Sequence, residues 1–286
     1  MEKIIKSVLL FPGLSERNRD IIKETVLPVT DELKRAGIKI FAEEERIKLF
    51  SVCGAEKIKP DDEPDAIVAI GGDGTILRAA RKAVGKNIPI LGINAGRVGF
   101  LAQIERNEIK NLEKLACGEY KIDKRMLLEA KIIRDGKKEE EPFFSINETT
   151  LMKDDPAHTV DVEVRRNGVF AYRCRADGII AATPTGSTAY SMSAGGPISD
   201  PGAEMIIITP VCPHSPAARA VVFSDKDVIT LKAAEGKISV VSDGEIESVI
   251  SENDCVEIKK YSEKARFINL SDKNFYETFN NKFFGI

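Results

Sequence analysis

The sequence predicts two fold classes in one chain, a parallel α/β domain followed by an all-β domain of sandwich or layered type. Three observations carry this. Apolar strand patterns alternate with helical patterns as far as Cys117. Within that half, Asp65–Arg78 runs a β-prone strand into two glycines, an aspartate, another glycine and a helical pattern. From Tyr120 the character changes, with short alternating or β-branched segments recurring between close-set turn signals. Strand–helix alternation indicates a parallel sheet with helices on its faces, and closely spaced hairpin signals indicate antiparallel layers.

Lys3–Phe11 reads as the first strand, ended by Pro12-Gly13. Ser15 is placed to cap a helix whose apolar stripe is Ile21, Ile22, Val26, Leu33 and Ala36, with Gly37 just beyond its end. Pro28 is expected to kink or split that helix, because it removes a donor and crowds the preceding turn. Ile38–Phe41 makes a second strand, and the charged residues from Glu43 to Glu63 fit no motif. The strand-turn-helix follows, with its helix expected from Thr75, and then a short strand at Ile88–Leu91. The loop Gly92–Leu101 carries three glycines and taken alone reads as a plain long turn; Glu105–Cys117 fits a helix. Asp135-Gly136, Asn167-Gly168, Asp225-Lys-Asp227, Glu235-Gly236 and Asp243-Gly244 are the hairpin signals of the second half. The expected division is 1–119 for the α/β domain, 120–270 for the β-rich domain and 271–286 for an aromatic C-terminal helix that packs back on the first domain.

Composition excludes several classes. With 43% hydrophobic and 30% charged residues and a net charge of −3, the chain reads as globular, with no electrostatic reason to bind nucleic acid or an anionic membrane. No apolar run reaches transmembrane length and Val8–Phe11 is too short for a signal-peptide core, so a cytoplasmic location is expected. Cys53, Cys117, Cys174, Cys212 and Cys255 are odd in number and never in a Cys-x-x-Cys pair, which reads as reduced, partly buried fillers. The two histidines, His158 and His214, come without metal-ligand spacing. Neither a P-loop nor a strict Gly-x-Gly-x-x-Gly fingerprint is present.

Two segments carry the chemistry. In Gly71-Gly72-Asp73-Gly74-Thr75, glycines leave backbone N–H groups uncovered where a helix begins, an arrangement suited to phosphate. Asp73 in the middle of that turn is costly beside a phosphate unless it takes a proton from a nucleophile or meets a metal ion, so it points to chemistry as well as binding. The second segment opens from the apolar strand Gly178–Ala182 into Thr183, Thr185, Ser187, Thr188, Tyr190, Ser191 and Ser193, a lysine-free set of hydroxyls suited to sugar and phosphate oxygens. Asn147-Glu148 and Asp177 stand at candidate strand ends, where they fit either a ribose diol and base edge or a solvated turn.

Together, Gly71–Thr75, the Asn94-x-Gly-x-x-Gly-Phe-Leu101 loop, Asn147-Glu148, the block from Asp177-Gly178 through Thr183-Pro-Thr-Gly-Ser-Thr-Ala-Tyr190 to Gly196-Pro197, Thr209-Pro210, Pro213-His214 and Asp243-Gly244 closely resemble the NAD kinase family. Gly-Gly-Asp-Gly alone is shared with lipid kinases and phosphofructokinases, whereas the Thr-Pro-Thr-Gly-Ser-Thr-Ala-Tyr block is highly specific. The resemblance implies a Rossmann-like, phosphofructokinase-like N-terminal domain and a C-terminal β-sandwich-type domain. It implies transfer of the ATP γ-phosphoryl to the 2′-hydroxyl of the adenosine ribose of NAD, assisted by Mg2+ or Mn2+, in a homodimer or homotetramer.

Position by position, Asp73 corresponds to the general base, Gly71, Gly72 and Thr75 to the phosphate loop, and Gly74 to the point of close approach. Arg78, Phe100, Asn147, Glu148, His158, Arg175 and Asp177 correspond to NAD-binding positions, as do Thr188, Ala189, Tyr190, Ser191, Met192 and Ser193, and Glu245. Ala182 stands where many relatives have a serine. No protein metal ligand is assigned. Polyphosphate in place of ATP, acceptance of NADH, and feedback by NADP or NADPH stay open. The competing readings are a lipid kinase of the diacylglycerol or sphingosine type, which needs an apolar slot for acyl chains, and a non-catalytic NAD sensor, which has no use for Asp73.

Overall fold

The computed structural model describes residues 2–52, 54–96, 99–138, 141–271 and 274–285. The chain forms two compact units, Met1–Lys124 with Ala265–Ile286, and Arg125–Lys264. In chain order the first unit contributes β1 (Ser7–Pro12), α1 (Arg19–Arg35), β2 (Lys39–Ala42), α2 (Glu44–Phe50), β3 (Glu56–Lys57), β4 (Ala66–Gly71), α3 (Asp73–Ala83), β5 (Ile90–Asn94) and α4 (Glu113–Cys117). Next come β6 (Lys121–Arg134), β7 (Lys137–Lys138), β8 (Phe143–Ser145), β9 (Glu148–Lys153), β10 (Val160–Arg166), β11 (Val169–Ala176) and β12 (Gly178–Ala182). They are followed by α5 (Tyr190–Ser193), β13 (Met205–Val211), β14 (Val221–Ser224), β15 (Ile229–Glu235), β16 (Ile238–Ser242), β17 (Glu245–Ile250), β18 (Cys255–Asn269) and α6 (Phe275–Phe283).

In the first unit, β5, β4, β1, β2 and β3 lie in that spatial order, all parallel, and Phe267 of β18 pairs with Ile90 on the outer side of β5. Val8, Leu10, Val68, Ile70, Leu91 and Ile93 share one face of the sheet and bury Ile22, Val26, Val29 and Leu33 of α1 together with Leu112 and Leu115. Alternation puts Gly92 on the opposite face, where α3 lies so close that a side chain at Gly92 would meet Ile76. Helices on both faces of a parallel sheet leave the carboxyl ends of β1, β4 and β5 as the natural place for a ligand.

Several elements differ from expectation. Pro28 sits inside α1, which runs unbroken; Val26 and Val29 on either side of it are fully buried, and that burial holds the turn together despite the missing donor. Ser15 makes no capping bond and precedes a 3₁₀ turn at Glu16–Asn18. The charged segment after β2 contains α2, anchored by buried Arg46 and Phe50. Glu105–Cys117 divides into a 3₁₀ stretch at Arg106–Leu112, opened by a Glu105–Glu108 capping box, and the short α4. Cys174 is buried, but Cys117 and Cys212 are exposed, against the expectation of fillers; Cys53 lies outside the described residues.

The second unit is two antiparallel layers. One sheet has the order β14-β13-β12-β9-β16-β17, and β11-β10-β15-β18 are paired in the other layer. Val162, Val164, Leu231, Val256 and Ile258 from the latter meet Leu151, Ile179, Ala181, Ile206, Ile208 and Val240 from the former in one core. Strand β12 is central, so its alternate residues Ile180 and Ala182 are buried on its other face with Ile207 and Val211. Among the described residues, no helix is long and apolar enough to cross a membrane.

Candidate active site

In the first unit, β4 ends at Gly71 and α3 begins two residues later, so Asp73 is the first helical residue and the helix starts two residues before the expected Thr75. Its carboxylate is held by the loop after β5: Oδ2 accepts the Phe100 N–H at 2.9 Å and Oδ1 accepts the Leu101 N–H at 3.1 Å. A Cβ at Gly99 would overlap that carboxylate, so only glycine lets the loop close on it. Two backbone bonds leave about two of the roughly four acceptor positions of a carboxylate free for another donor. Beside Asp73, Gly74 is exposed and a Cβ there would meet nothing within 4 Å, so the backbone is open to an approaching group. Thr75 is buried, its N–H on the Gly72 carbonyl at 2.9 Å, and Arg78 is exposed one turn on.

The loop itself has an anchor that the sequence did not disclose. Buried Asn94, the last residue of β5, donates to the Glu105 carboxylate at 2.9 Å and accepts the Gly96 N–H at 3.0 Å. Arg97 and Val98 of the same loop lie outside the described residues.

In the second unit, Asp243 in the β16–β17 turn accepts three successive backbone N–H groups, from Ile146 at 2.8 Å, Asn147 at 2.8 Å and Glu148 at 3.2 Å. The Thr183–Gly186 turn then locks onto the same residues. Thr183 N–H donates to the Asn147 carbonyl at 2.8 Å and the Thr183 hydroxyl to the Ile146 carbonyl at 2.5 Å. Gly186 passes so near that a side chain there would overlap the Asn147 carbonyl. These contacts fix Asn147, Glu148, Thr188, Ala189 and Tyr190 as one group, with Glu245 exposed beside it at the start of β17.

Glu148 is the unusual member. Burial, followed by the negative charge of Asp243, pushes its carboxyl up to about 8, against a hydrogen bond from the Tyr190 backbone that favours the anion. Its Oε2 is buried with no hydrogen-bond partner. An unpartnered buried carboxyl oxygen is costly.

The hydroxyl-rich segment divides in two. Ser187 accepts the Ser199 N–H at 3.0 Å, Ser191 and Thr209 hydroxyls bond at 2.9 Å, and Thr183, Ser187 and Ser191 are fully buried. These three fasten the segment to its own unit and do not present hydroxyls outward. Tyr190 and Ser193 are exposed, Thr188, Ala189 and Met192 half-buried.

His158, Arg175 and Asp177 form a separate group at the far end of β9 and β12. Lys153 pairs with Asp177 at 2.8 Å and donates to the Pro156 carbonyl at 2.9 Å, His158 contacts Asp155 at 2.8 Å, and Arg175 donates to the Thr159 hydroxyl at 3.1 Å. In the ladder Glu148 faces Ala182 while Met152 faces Gly178. The two groups are therefore separated by about five strand residues, roughly 16 Å at ~3.3 Å each. Tyr190 senses both, since burial, Cys212, Asp177 and Glu148 all raise its hydroxyl above the usual phenol range. Sequence reasoning missed Lys153 and Glu105 and saw Asp243 as a hairpin signal and part of the family resemblance, without a role for its side chain; an Asp-Gly turn is legible, but the three amides its carboxylate reaches are about 95 residues away in sequence.

Comparison with known proteins matches residues 16–120 to the ATP-NAD kinase N-terminal domain and residues 146–270 to the ATP-NAD kinase C-terminal domain. The chain is 35% identical over 286 residues to an NAD kinase of Natranaerobius thermophilus, covering 98% of this chain and 99% of that protein. It is 45% identical over 217 residues to an NAD kinase of Methanothermobacter thermautotrophicus, covering 75% of this chain and 74% of that one. Among solved structures it is similar to an NAD kinase from Archaeoglobus fulgidus in complex with ATP, at 28% identity and TM-score 0.73, covering 98% and 97% of the two chains. Yeast NADH kinase complexed with NADH shares the fold, at 22% identity and TM-score 0.90, covering 99% of this chain and 89% of that one.

Proposed function

The chain belongs to the NAD kinase family, and from that premise we propose how its own residues carry the transfer of the ATP γ-phosphoryl to the 2′-hydroxyl of the adenosine ribose of NAD. Such a transfer asks little covalent work of a protein, only alignment of acceptor and donor and neutralisation of developing charge. The observation that carries the assignment is the Asp73 carboxylate, fixed by two backbone amides at the start of α3 with acceptor capacity left over and open backbone beside it at Gly74. Asp73 takes the proton of the ribose hydroxyl as that oxygen attacks phosphorus. Gly71, Gly72 and Thr75 shape the turn that receives phosphate, with Arg78 as the nearby cation.

The second unit supplies recognition of the dinucleotide. Asn147 and Glu148 offer an amide and a carboxyl at the end of β9, and the orphaned Glu148 Oε2 fits a hydroxyl or amine donor of the adenosine. Tyr190, with Thr188, Ala189, Met192 and Ser193, frames the same place, Glu245 stands beside it, and Ser191 supports it from below through its bond to Thr209. His158, Arg175 and Asp177 stand farther along the same sheet, where Asp177 still acts on the Tyr190 hydroxyl, and extend the dinucleotide site beyond the adenosine. Family membership favours a homo-oligomer, dimer or tetramer, in which the β-rich domain of one copy contributes to the pocket of its neighbour.

Among the described residues no cluster of three or more His, Cys, Asp or Glu side chains is assembled to hold a metal ion. The Mg2+ or Mn2+ that family membership implies would be brought by the phosphates of the donor, with the Asp73 carboxylate, which has acceptor capacity left over, as the group able to meet it. When bound, such an ion neutralises charge on the phosphoryl oxygens. A cytoplasmic enzyme using ATP as phosphoryl donor completes the reading. The purified protein, mixed with ATP, magnesium and NAD and coupled to an NADP-specific dehydrogenase, is expected to form NADP. No NADP from ATP or from polyphosphate, or equal phosphorylation of diacylglycerol, overturns the reading.

A further inference from the structure

Helix α6 has no part in the steps above. It is specified locally: Asn274 caps it, accepting the Glu277 N–H at 2.9 Å and donating to the Glu277 carboxylate at 2.9 Å. Phe275, Phe279 and Phe283 recur every four residues as one aromatic stripe, with successive ring centroids 6.0 and 4.9 Å apart. No residue of the helix is fully buried, and Tyr276, Phe283 and Phe284 are exposed. A helix of nine residues is too short to persist in water on propensity alone, so the stripe needs a partner.

That partner is Phe100. Its ring lies 5.9 Å from that of Phe275 and 6.0 Å from that of Phe283, the latter nearly parallel at 26°, and the Lys282 ammonium sits 4.1 Å from its centroid. The backbone N–H of the same residue holds Asp73 Oδ2, and the next amide holds Oδ1. There is no slack between loop and carboxylate, because even a Cβ at Gly99 would overlap it. We propose that α6 is a positioning element for phosphoryl transfer: by gripping the Phe100 ring it fixes the two amides that orient Asp73, with Phe275 and Phe283 as the positioning residues.

The inference rests on Asp73 being the base, and its test separates the two. In the full-length chain, the double variant Phe275→Ala/Phe283→Ala is measured for kcat, KM for NAD, melting temperature, and hydrogen exchange at the Phe100 and Leu101 amides. Exchange at both amides is expected to rise at least about tenfold and kcat to fall about tenfold, the scale of a slightly misplaced catalytic group, with KM held within about twofold. Phe275→Tyr/Phe283→Tyr, which keeps the rings, is expected to restore both. Unchanged exchange and kcat, a raised KM at full kcat, or a lower melting temperature with full kcat per folded molecule would each overturn the proposal. Asp73→Asn retaining full turnover would instead sink the assignment of the base, while the exchange result would still report whether α6 holds the loop.

Discussion

Two carboxylates at the starts of regular elements, Asp73 in the first unit and Glu148 in the second, are treated in opposite ways. Asp73 has each oxygen satisfied by a backbone amide from a glycine-rich loop. Glu148 is half-buried, with one oxygen buried and unmatched and its carboxyl pushed up to about 8, by burial first and then by Asp243. The lesson is that a backbone donor on each oxygen orients an anion for chemistry, whereas a buried oxygen left unmatched leaves a group suited to a ligand's donor. The two residues should therefore fail differently.

The largest expected effect is at Asp73. Asp73→Asn keeps the size but loses the basicity, and kcat should fall by about three orders of magnitude while NAD affinity stays within a small factor. Steady-state kinetics beside a direct binding titration check this, and equal losses in both would dissolve the contrast. Next is Asp243→Ala, which removes a charged acceptor from three amides at once. It should cost about 3 kcal/mol in denaturant unfolding and weaken NAD binding with it.

Glu148→Gln sharpens the contrast through pH. A carboxyl whose folded-state value is raised above its unfolded 4.5 to about 8 binds more protons folded than unfolded between those values. Its stabilising contribution is present below about pH 4.5 and is lost as pH rises through about 8. The wild-type melting temperature should decline across that window, and Glu148→Gln should flatten the decline. Smallest is Lys153→Met, which breaks a half-exposed pair with Asp177 and should change stability by under about 1 kcal/mol.

The sequence made the Gly71–Thr75 turn legible because glycines and a helix start are local facts, and it erred only in placing the helix at Thr75. It read the alternation of the second half for the same reason. What it could not show were partners distant along the chain. The hydroxyls of Thr183 and Ser191 looked like ligand contacts, yet their partners are the Ile146 carbonyl and Thr209. Helix α2 was hidden because its anchors, Arg46 and Phe50, sit among charges; Arg46 is buried between Glu43, the Pro12 carbonyl and the Phe11 ring, contacts no periodicity reveals. Likewise the aromatic C-terminus could be seen as a helix, but not that Phe100 would receive it.

A crystal structure with NAD bound tests the central claim most directly. The account predicts an Asp73 carboxylate oxygen within hydrogen-bond reach, about 2.6–3.2 Å, of the 2′-oxygen on the adenosine ribose, with the Phe100 and Leu101 amides still in place. A carboxylate turned from the sugar, with another group in contact with that hydroxyl, would contradict it.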